Sequence, residues 1–247
     1  MTGGKLQTLD RGITALQMVA RTEGGLKIAE LADQLGLNRA IVYRLVATLA
    51  DHGMVQRLAD GRIVLGSGAI LLAAHAERNL RALARPLVES LAERTGATAF
   101  LSMAQGADCV AILTAEPRDA FLNIHYRVGT RHPIDRGAAG LAILAGRPER
   151  PDDPEAVKAA RRDGYCITRG ELQKGAVGVA SPIRMPSSGL AGIELSIGVV
   201  ALDNLDLERA REAVIAAAER FSSQLDLSPG NGSPSTRTRT PHRAPRS

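Results

Sequence analysis

Residues 26–66 read LKIAELADQLGLNRAIVYRLVATLADHGMVQRLADGRIVLG, and this stretch decides the fold class of the first part of the chain. Apolar residues at i, i+3 and i+7 predict a short amphipathic helix over residues 27–35. Gly36 can end this helix at little conformational cost, and Asn38 can cap a second helix by accepting a hydrogen bond from an unpaired backbone N–H group. We expect the second helix from Arg39 to about His52, so that a glycine turn joins two helices.

A tight hairpin is expected directly after the second helix. Residues 54–58 and 62–65 alternate as strands do, and the Ala59-Asp60-Gly61 sequence between them is a strong turn signal. A further amphipathic helix over residues 9–20 supplies a third helix. Three helices followed by a hairpin predict a winged helix-turn-helix over residues 1–66, with the hairpin as the wing.

The second predicted helix has two faces of different chemistry. At about 100° per residue its large apolar side chains fall within one arc, and small, basic and hydroxyl-bearing side chains occupy the opposite face. An exposed face of this composition can enter the major groove of DNA, where arginine reaches guanine edges or phosphates. The alternative is that Arg39 and Arg44 are ordinary solvated surface charges. The predicted DNA contacts are Asn38, Arg39, Ala40, Tyr43, Arg44 and Thr48 on the helix, and Arg57 and Arg62 on the wing, where they would meet the phosphate backbone.

The composition argues against several classes of protein. The chain has 247 residues and 45% hydrophobic content, which is enough for two domains with cores. It contains no apolar run long enough to cross a bilayer and no apolar secretory signal at its start, so we expect a cytoplasmic protein without membrane contact. Neither a CxxC nor an HExxH motif occurs, and we expect no metal site and no cofactor. Cys109 and Cys166 are expected as buried reduced thiols.

The net charge of +5 is unevenly distributed. Basic residues are in excess in residues 1–85 and 228–247, whereas the middle of the chain is mildly acidic. This distribution is typical of a nucleic-acid-binding domain joined to a domain with another task. Because aromatic residues make up only 2% of the chain, few side chains could stack on unpaired bases, which favours duplex DNA over RNA. Residues 228–247 are rich in Ser, Pro, Thr, Arg and Gly and predict a disordered basic tail.

The body of the chain predicts a mixed α/β domain with an antiparallel sheet, because neighbouring strands are separated by short turns. A connector helix is expected over residues 67–80, and Arg85-Pro86 is expected to start a separate helix that ends at Thr95-Gly96. The other predicted elements are strands over residues 98–105, 109–115, 121–128, 177–183 and 190–200, and helices over residues 138–145, 155–163 and 207–225.

Several short motifs occur along the chain in the same order as in one bacterial protein family. In the first domain they are Leu9-Asp10-Arg11-Gly12, Ile28-Ala29-Glu30-Leu31-Ala32, and Val42-Tyr43-Arg44-Leu45-Val46-Ala47-Thr48-Leu49 followed by Gly53. In the body they are Arg131-His132-Pro133-Ile134, Gly140, Gly164-Tyr165, Gly170-Glu171 and Val177-Gly178-Val179-Ala180-Ser181-Pro182-Ile183. As a set they are specific, and over about residues 8–226 the chain resembles the IclR-type (isocitrate lyase regulator) transcriptional regulators.

The resemblance implies an α+β fold with a GAF-like or profilin-like effector-binding domain at the C-terminal end. That domain would bind a small metabolite, commonly a carboxylate or an aromatic compound. The implied domains are 1–66 for DNA binding, 67–80 as a connector helix, 81–227 for effector binding and 228–247 as a disordered tail. The implied effector-binding residues are Gly137, Ala138, Ala139, Thr168, Gly178 and Ser196.

The chemistry of these positions suits a carboxylate. Backbone N–H groups at the start of the helix near Ala138 carry partial positive charge, and the hydroxyl groups of Thr168 and Ser196 could orient the ligand. Both hydroxyls could instead be ordinary strand hydroxyls bonded to backbone, and Arg131 could pair with an effector carboxylate or be a surface charge. The family often has a hydroxyl residue and a lysine where this chain has Gly137 and Leu141.

The resulting hypothesis is a transcriptional regulator that binds double-stranded DNA as a homodimer or homotetramer and responds to a small-molecule effector. Two recognition helices would enter successive major grooves about 34 Å apart, on a palindromic or near-palindromic operator. Repression and activation are both open. A structural oligomerisation protein is a second possibility, but it leaves the basic helix face unexplained.

An enzyme with a DNA-binding appendage is the third possibility. Its candidate nucleophiles would be Ser181, Ser196 and Cys166, and its candidate bases His125 and His132. No GxSxG motif surrounds any of these residues, so we expect the chain not to be an enzyme.

Overall fold

The computed structural model describes residues 6–118, 124, 126–184, 192–203 and 205–226. The chain divides into two compact units between Ala82 and Leu83. The disordered tail predicted over residues 228–247 and half of the strand predicted over residues 121–128 lie outside the described residues. The described residues of that range, 124 and 126–128, are not in a strand.

The first unit is a winged helix-turn-helix, as predicted. Its helices are α1 (Gln7–Arg21), α2 (Ile28–Leu35) and α3 (Arg39–Asp51), and its strands are β1 (Leu26–Lys27), β2 (Val55–Arg57) and β3 (Arg62–Leu65). The strands form an antiparallel sheet in the order β1-β3-β2. The predicted hairpin is therefore β2 and β3, whereas the two-residue strand β1 was not predicted.

Local signals explain the turn between α2 and α3. Gly36 ends α2 with a left-handed backbone conformation at φ 63°. Asn38 Oδ1 accepts a hydrogen bond from the Ala40 N–H across 2.9 Å, which confirms the predicted cap. The buried residues Leu31, Val42 and Val46 belong to a core that α2 and α3 share with α1. Packing therefore holds α2 and α3 together in addition to the turn between them.

The helix α4 (Ser67–Thr95) runs without interruption through Pro86, so the prediction of two separate helices in this region is wrong. Pro86 has no N–H to donate to the Ala82 carbonyl, and an interior proline costs about 3 kcal/mol. Leu87, Val88 and Leu91 are buried at helical spacing just beyond it, and each such burial contributes about 1.5–3 kcal/mol. Packing therefore exceeds the local cost of the proline.

The second unit is built on one six-stranded antiparallel sheet, which confirms the predicted class of sheet. Its strands are β4 (Thr98–Gln105), β5 (Asp108–Ala115), β6 (Arg131–Pro133), β7 (Cys166–Arg169), β8 (Ala176–Ile183) and β9 (Leu195–Leu202), in the order β6-β5-β4-β9-β8-β7. Its remaining helices are α5 (Gly137–Gly146), α6 (Glu155–Asp163) and α7 (Leu207–Asp226).

The helix α5 is almost entirely buried against the sheet and against α6. Small side chains allow this close approach. A Cβ atom at Gly140 would lie 2.2 Å from the carbonyl oxygen of Ile134, so only glycine fits at that position. The N-terminal end of α5 is thereby fixed beside β7 and β8, where the candidate ligand-binding residues lie. None of the helices in the described part of the chain has the length and hydropathy of a membrane span.

Candidate functional site

The face of α3 that was predicted to contact DNA is exposed along its whole length. Val42, Leu45 and Val46 are buried, whereas Tyr43 is 50% exposed. The exposed residues are Asn38, Arg39, Ala40, Tyr43, Arg44, Ala47 and Thr48. Because the buried face fixes the helix, these side chains occupy a rigid surface.

Two of these polar groups are already used within the protein. Asn38 Oδ1 serves as the cap of α3, and the Thr48 hydroxyl donates to the Arg44 carbonyl across 3.0 Å. Among the residues that the structure describes, none forms an ion pair or a hydrogen bond with the guanidinium group of Arg39 or Arg44. These two side chains therefore have all their donors available for a partner.

The two arginines of the wing differ in their surroundings. Arg62 Nε donates to Asp60 Oδ2 across 2.6 Å, and Arg62 Nη1 donates to the Gly24 carbonyl across 2.7 Å. The Arg62 backbone N–H and the Arg62 side chain together lower the pKa of Asp60. Arg57 is exposed, and no described residue forms an ion pair with it. Arg57 is thus available to a phosphate, whereas Arg62 joins the wing to the turn after α1.

A cavity of about 270 Å³ lies in the second unit, beside the start of α5. Four of the six residues predicted to bind an effector line it, namely Ala138, Ala139, Thr168 and Gly178. Thr168 Oγ1 accepts a hydrogen bond from the Ala138 N–H across 3.0 Å, which orders the first turn of α5. The Thr168 hydroxyl proton remains available for a ligand.

The structure places the other two predicted residues, Gly137 and Ser196, outside the cavity wall. Ser196 on β9 is fully buried, and its hydroxyl donates to the Ala139 carbonyl across 2.9 Å. This arrangement fits the alternative of a strand hydroxyl bonded to backbone. Gly137 has a positive φ of 75°, and a Cβ atom there would lie 2.6 Å from Leu172 Cδ1. Because Leu172 is an exposed side chain that can move, the positive φ is the stronger reason for glycine at this position on the edge of the cavity.

One wall of the cavity is aromatic and carries a hydroxyl group. The rings of Phe100 and Tyr126 lie 5.1 Å apart between centroids. His132 Nδ1 lies 2.9 Å from the Pro133 carbonyl, which can only accept, so Nδ1 carries a proton. In the neutral ring, Nε2 then accepts from the Tyr126 hydroxyl across 3.3 Å. Burial raises the pKa of Tyr126 to about 12, so the phenol is protonated at neutral pH.

Sequence reasoning missed Tyr126 as a cavity residue and considered His132 only as a catalytic base. The adjacent Arg131-His132-Pro133-Ile134 motif was the one signal that pointed to this wall. Arg131 also lines the cavity, but its guanidinium group donates to Asp108 across 2.7 Å and to Gln105 across 2.8 Å. This pairing supports the alternative that Arg131 is a surface charge paired within the protein and not a partner for an effector carboxylate.

The described residues contain no catalytic pair of the kind expected for a hydrolase. The Ser181 hydroxyl donates to the Gly164 carbonyl across 2.8 Å rather than to a base. Burial raises the pKa values of Cys109 and Cys166 to about 11, so both thiols are protonated at neutral pH. His125 lies outside the described residues. In the described ranges, no three His, Cys, Asp or Glu side chains are grouped so as to hold a metal ion.

A winged helix-turn-helix with an exposed basic helix defines a class of DNA-binding domain. Residues 8–59 match the family model described as the IclR helix-turn-helix domain, and residues 72–154 match that of the bacterial transcriptional regulator IclR C-terminal domain. The two matches together cover more than half of the chain. The chain belongs to the IclR family of bacterial transcriptional regulators.

Curated relatives are named as transcriptional regulators. The transcriptional repressor IclR of Escherichia coli (strain K12) is 29% identical over 146 residues, which are 58% of this chain and 53% of that repressor. The HTH-type transcriptional regulator BhcR of Paracoccus denitrificans is 27% identical over 248 residues, with 89% of this chain and 87% of BhcR covered. The match to the E. coli repressor thus spans about half of that protein's length. Both relatives are named as regulators rather than enzymes.

Solved structures share the fold. An IclR-family regulator from Rhodococcus sp. superposes with a TM-score of 0.56 at 23% identity, covering 91% of this chain and 95% of that one. An IclR homologue from Microbacterium hydrocarbonoxydans, solved in complex with 4-hydroxybenzoate, gives a TM-score of 0.53 at 20% identity and covers 90% and 100% of the two chains. At these identities the similarity establishes the fold alone.

Proposed function

We propose that this chain is a DNA-binding transcriptional regulator whose operator binding is modulated by a small metabolite in the cavity of its second unit. The exposed face of α3 is the observation that supports DNA binding most directly. Arg39, Tyr43 and Arg44 project into solvent from a helix whose opposite face is buried. A rigid cationic helix in a winged domain matches the dimensions of the major groove.

The proposed DNA contacts are of two kinds. Arg39 and Arg44 have unpaired guanidinium donors that match the O6 and N7 acceptors of guanine, and a good pair contributes about 1–3 kcal/mol of discrimination between bases. Arg57 on the wing would contact phosphate, which adds affinity without sequence information. The exposed positions of all three side chains support this division.

The active form in this proposal is a homodimer or a homotetramer. Two copies of α3 would occupy successive major grooves about 34 Å apart, and the operator would be palindromic or nearly so. Effector binding would change the relative population of the arrangements that can hold both copies of α3 on one duplex.

The cavity supports a small aromatic compound or a carboxylate as the effector. Its volume of about 270 Å³ suits a molecule with a single ring. Phe100 and Ile124 offer apolar contacts, while the Tyr126 hydroxyl and Thr168 offer hydrogen bonds. The M. hydrocarbonoxydans homologue was solved with 4-hydroxybenzoate, a compound of this size.

Gel-shift titration with the DNA upstream of the chain's own gene tests the proposal. Arg44→Ala should weaken binding to the operator by about tenfold or more, which corresponds to about 1.4 kcal/mol. Arg209→Ala removes an exposed arginine from α7 and serves as the matched control, with the parent's affinity expected. Operator binding by Arg44→Ala as tight as that of the parent would overturn the assignment of α3 as the recognition helix.

A further inference from the structure

The cavity already contains a carboxylate that belongs to the chain itself. Glu171 Oε2 accepts a hydrogen bond from the Gly137 N–H across 2.8 Å, and Gly137 is the first residue of α5. The next N–H of α5, that of Ala138, donates to Thr168. Glu171 and Thr168 line the cavity and Gly137 lies at its edge, so the first two N–H groups of α5 at this end of the cavity are occupied by the protein.

Glu171 belongs to residues 170–175, which connect β7 to β8 and which we name the β7–β8 loop. Leu172 and Gln173 of this loop border the cavity as well. The base of the loop is closed by a hydrogen bond from the Gly170 N–H to the Ala176 carbonyl across 2.8 Å. The loop therefore forms one side of the cavity, and its position helps to determine the cavity's size.

Few contacts hold the β7–β8 loop against α5. Besides the Glu171 carboxylate, Arg136 Nη2 donates to the Glu171 carbonyl across 2.6 Å, and Leu172 packs beside Gly137. The side chains of Glu171, Leu172, Gln173 and Lys174 are all exposed. Moving the loop away from α5 would thus break a small number of solvent-accessible contacts.

A ligand carboxylate and the Glu171 carboxylate cannot both occupy the Gly137 N–H. One N–H group offers a single proton, and two carboxylates at that distance repel each other in a partly buried site. Two cationic groups beside the site are already used by the protein, because the Arg131 guanidinium is paired with Asp108 and that of Arg136 donates to the Glu171 carbonyl. An anionic ligand must therefore either replace Glu171 or bind elsewhere in the cavity.

On the basis of the proposed effector function, we propose that Glu171 is an internal competitor for the anionic group of the effector. A ligand carboxylate takes the Gly137 N–H, the Glu171 carboxylate moves into solvent, and the β7–β8 loop separates from α5. Occupation of the cavity by an anion is thereby converted into movement of a chain segment, whereas a neutral ligand of the same shape leaves the loop in place.

Calorimetric titration of the full chain with 4-hydroxybenzoate and with its neutral isostere 4-hydroxybenzamide tests the inference. Glu171→Gln removes the competing charge, so it should bind 4-hydroxybenzoate about tenfold more tightly than the parent does and the amide within about twofold of the parent. Glu149→Gln removes an exposed carboxylate between α5 and α6 and should behave as the parent with both compounds.

Hydrogen exchange of the β7–β8 loop provides a second readout, which would not depend on ligand charge if Glu171 only stabilised the fold. Saturating 4-hydroxybenzoate should accelerate exchange of the β7–β8 loop in the parent, and 4-hydroxybenzamide should not. Weaker acid binding by Glu171→Gln, an equal change for acid and amide, or binding of neither compound to Glu171→Gln would overturn the inference. Gel-shift titration of the parent separates the two proposals. Failure of the parent to bind the operator would overturn the proposed function. Operator binding together with equal behaviour of the acid and the amide in the cavity would overturn only the role of Glu171.

Discussion

Asp60 and Arg62 hold the turn of the wing together through two hydrogen bonds. The Arg62 backbone N–H donates to Asp60 Oδ1 across 3.0 Å, and Arg62 Nε donates to Asp60 Oδ2 across 2.6 Å. The same guanidinium group reaches the Gly24 carbonyl. The wing is therefore fixed to the turn that follows α1, and its two arginines have different tasks.

The first prediction concerns Arg57. Since this side chain is exposed and unpaired among the described residues, Arg57→Ala should weaken operator binding at low salt and leave thermal stability unchanged. The slope of log affinity against log salt concentration should fall in magnitude by about two, because one phosphate contact is lost from each of the two wings on the operator. Fluorescence anisotropy at several salt concentrations measures this slope, with Arg209→Ala as the control. An unaltered slope would show that Arg57 makes no phosphate contact.

The second prediction concerns pH. Hydrogen bonds from the backbone and side chain of Arg62 lower the pKa of Asp60 in the folded protein. A lowered pKa contributes stability above the ordinary pKa of an aspartate, and this contribution is lost as pH falls through the folded-state pKa. Asp60→Asn should therefore be less stable than the parent near neutral pH and approach it as pH falls below the ordinary pKa of an aspartate and through the lowered pKa of Asp60. Because the pair is exposed, the effect should be small and largest at low salt.

Urea unfolding of parent and Asp60→Asn at a series of pH values measures this difference. Asp33→Asn is the matched control, since Asp33 is an exposed carboxylate of the same unit. If the difference in unfolding free energy between parent and Asp60→Asn stayed constant down to the most acidic pH, the lowered pKa of Asp60 would not be the source of that stability.

The third prediction separates Thr168 from Ser196. Thr168 lines the cavity, so Thr168→Val should weaken the binding of 4-hydroxybenzoate by about tenfold. Ser196 donates to the Ala139 carbonyl away from the cavity, so Ser196→Ala should reduce the free energy of unfolding by about 1 kcal/mol without changing ligand affinity. Calorimetry and urea unfolding of both variants test the pair. Loss of ligand affinity in Ser196→Ala with unchanged stability would place Ser196 in the ligand site.

The fourth prediction concerns the packing of α5. Gly140→Ala would bring a Cβ atom to 2.2 Å from the Ile134 carbonyl oxygen, and relief of this overlap should cost about 1–3 kcal/mol of unfolding free energy. Gly12→Ala is the matched control, because its nearest neighbour would be Leu45 Cδ2 at 3.9 Å and alanine favours a helix. The control should be neutral or stabilising. Equal stability of the two variants would argue against tight packing at Gly140.

The helix-turn-helix was predictable because its signals are local. The spacing of Ile28, Leu31 and Leu35, the glycine turn and the Asn38 cap all act within a few residues of the positions they determine. The continuity of α4 was not predictable in this way. A proline is a local signal, and the packing of Leu87, Val88 and Leu91 that outweighs it depends on the folded second unit.

The cavity was only partly predictable for a related reason. Tyr126 and Glu171 come from irregular segments without periodicity, and strand pairing brings them beside α5. The edge strands β6 and β7 have three and four residues, which is too short for an alternating pattern to be recognised. Ser196 was assigned through family resemblance, but the register of β9 points its hydroxyl to the backbone of α5.

The burial of both cysteines has a practical consequence for spectroscopy. With pKa values of about 11, Cys109 and Cys166 carry roughly two orders of magnitude less thiolate than an exposed cysteine at neutral pH. A cysteine introduced at the exposed Ala47 should therefore react first with a maleimide dye, in the otherwise unaltered sequence. Emission from a fluorophore at that position would report the approach of a duplex to α3 in real time.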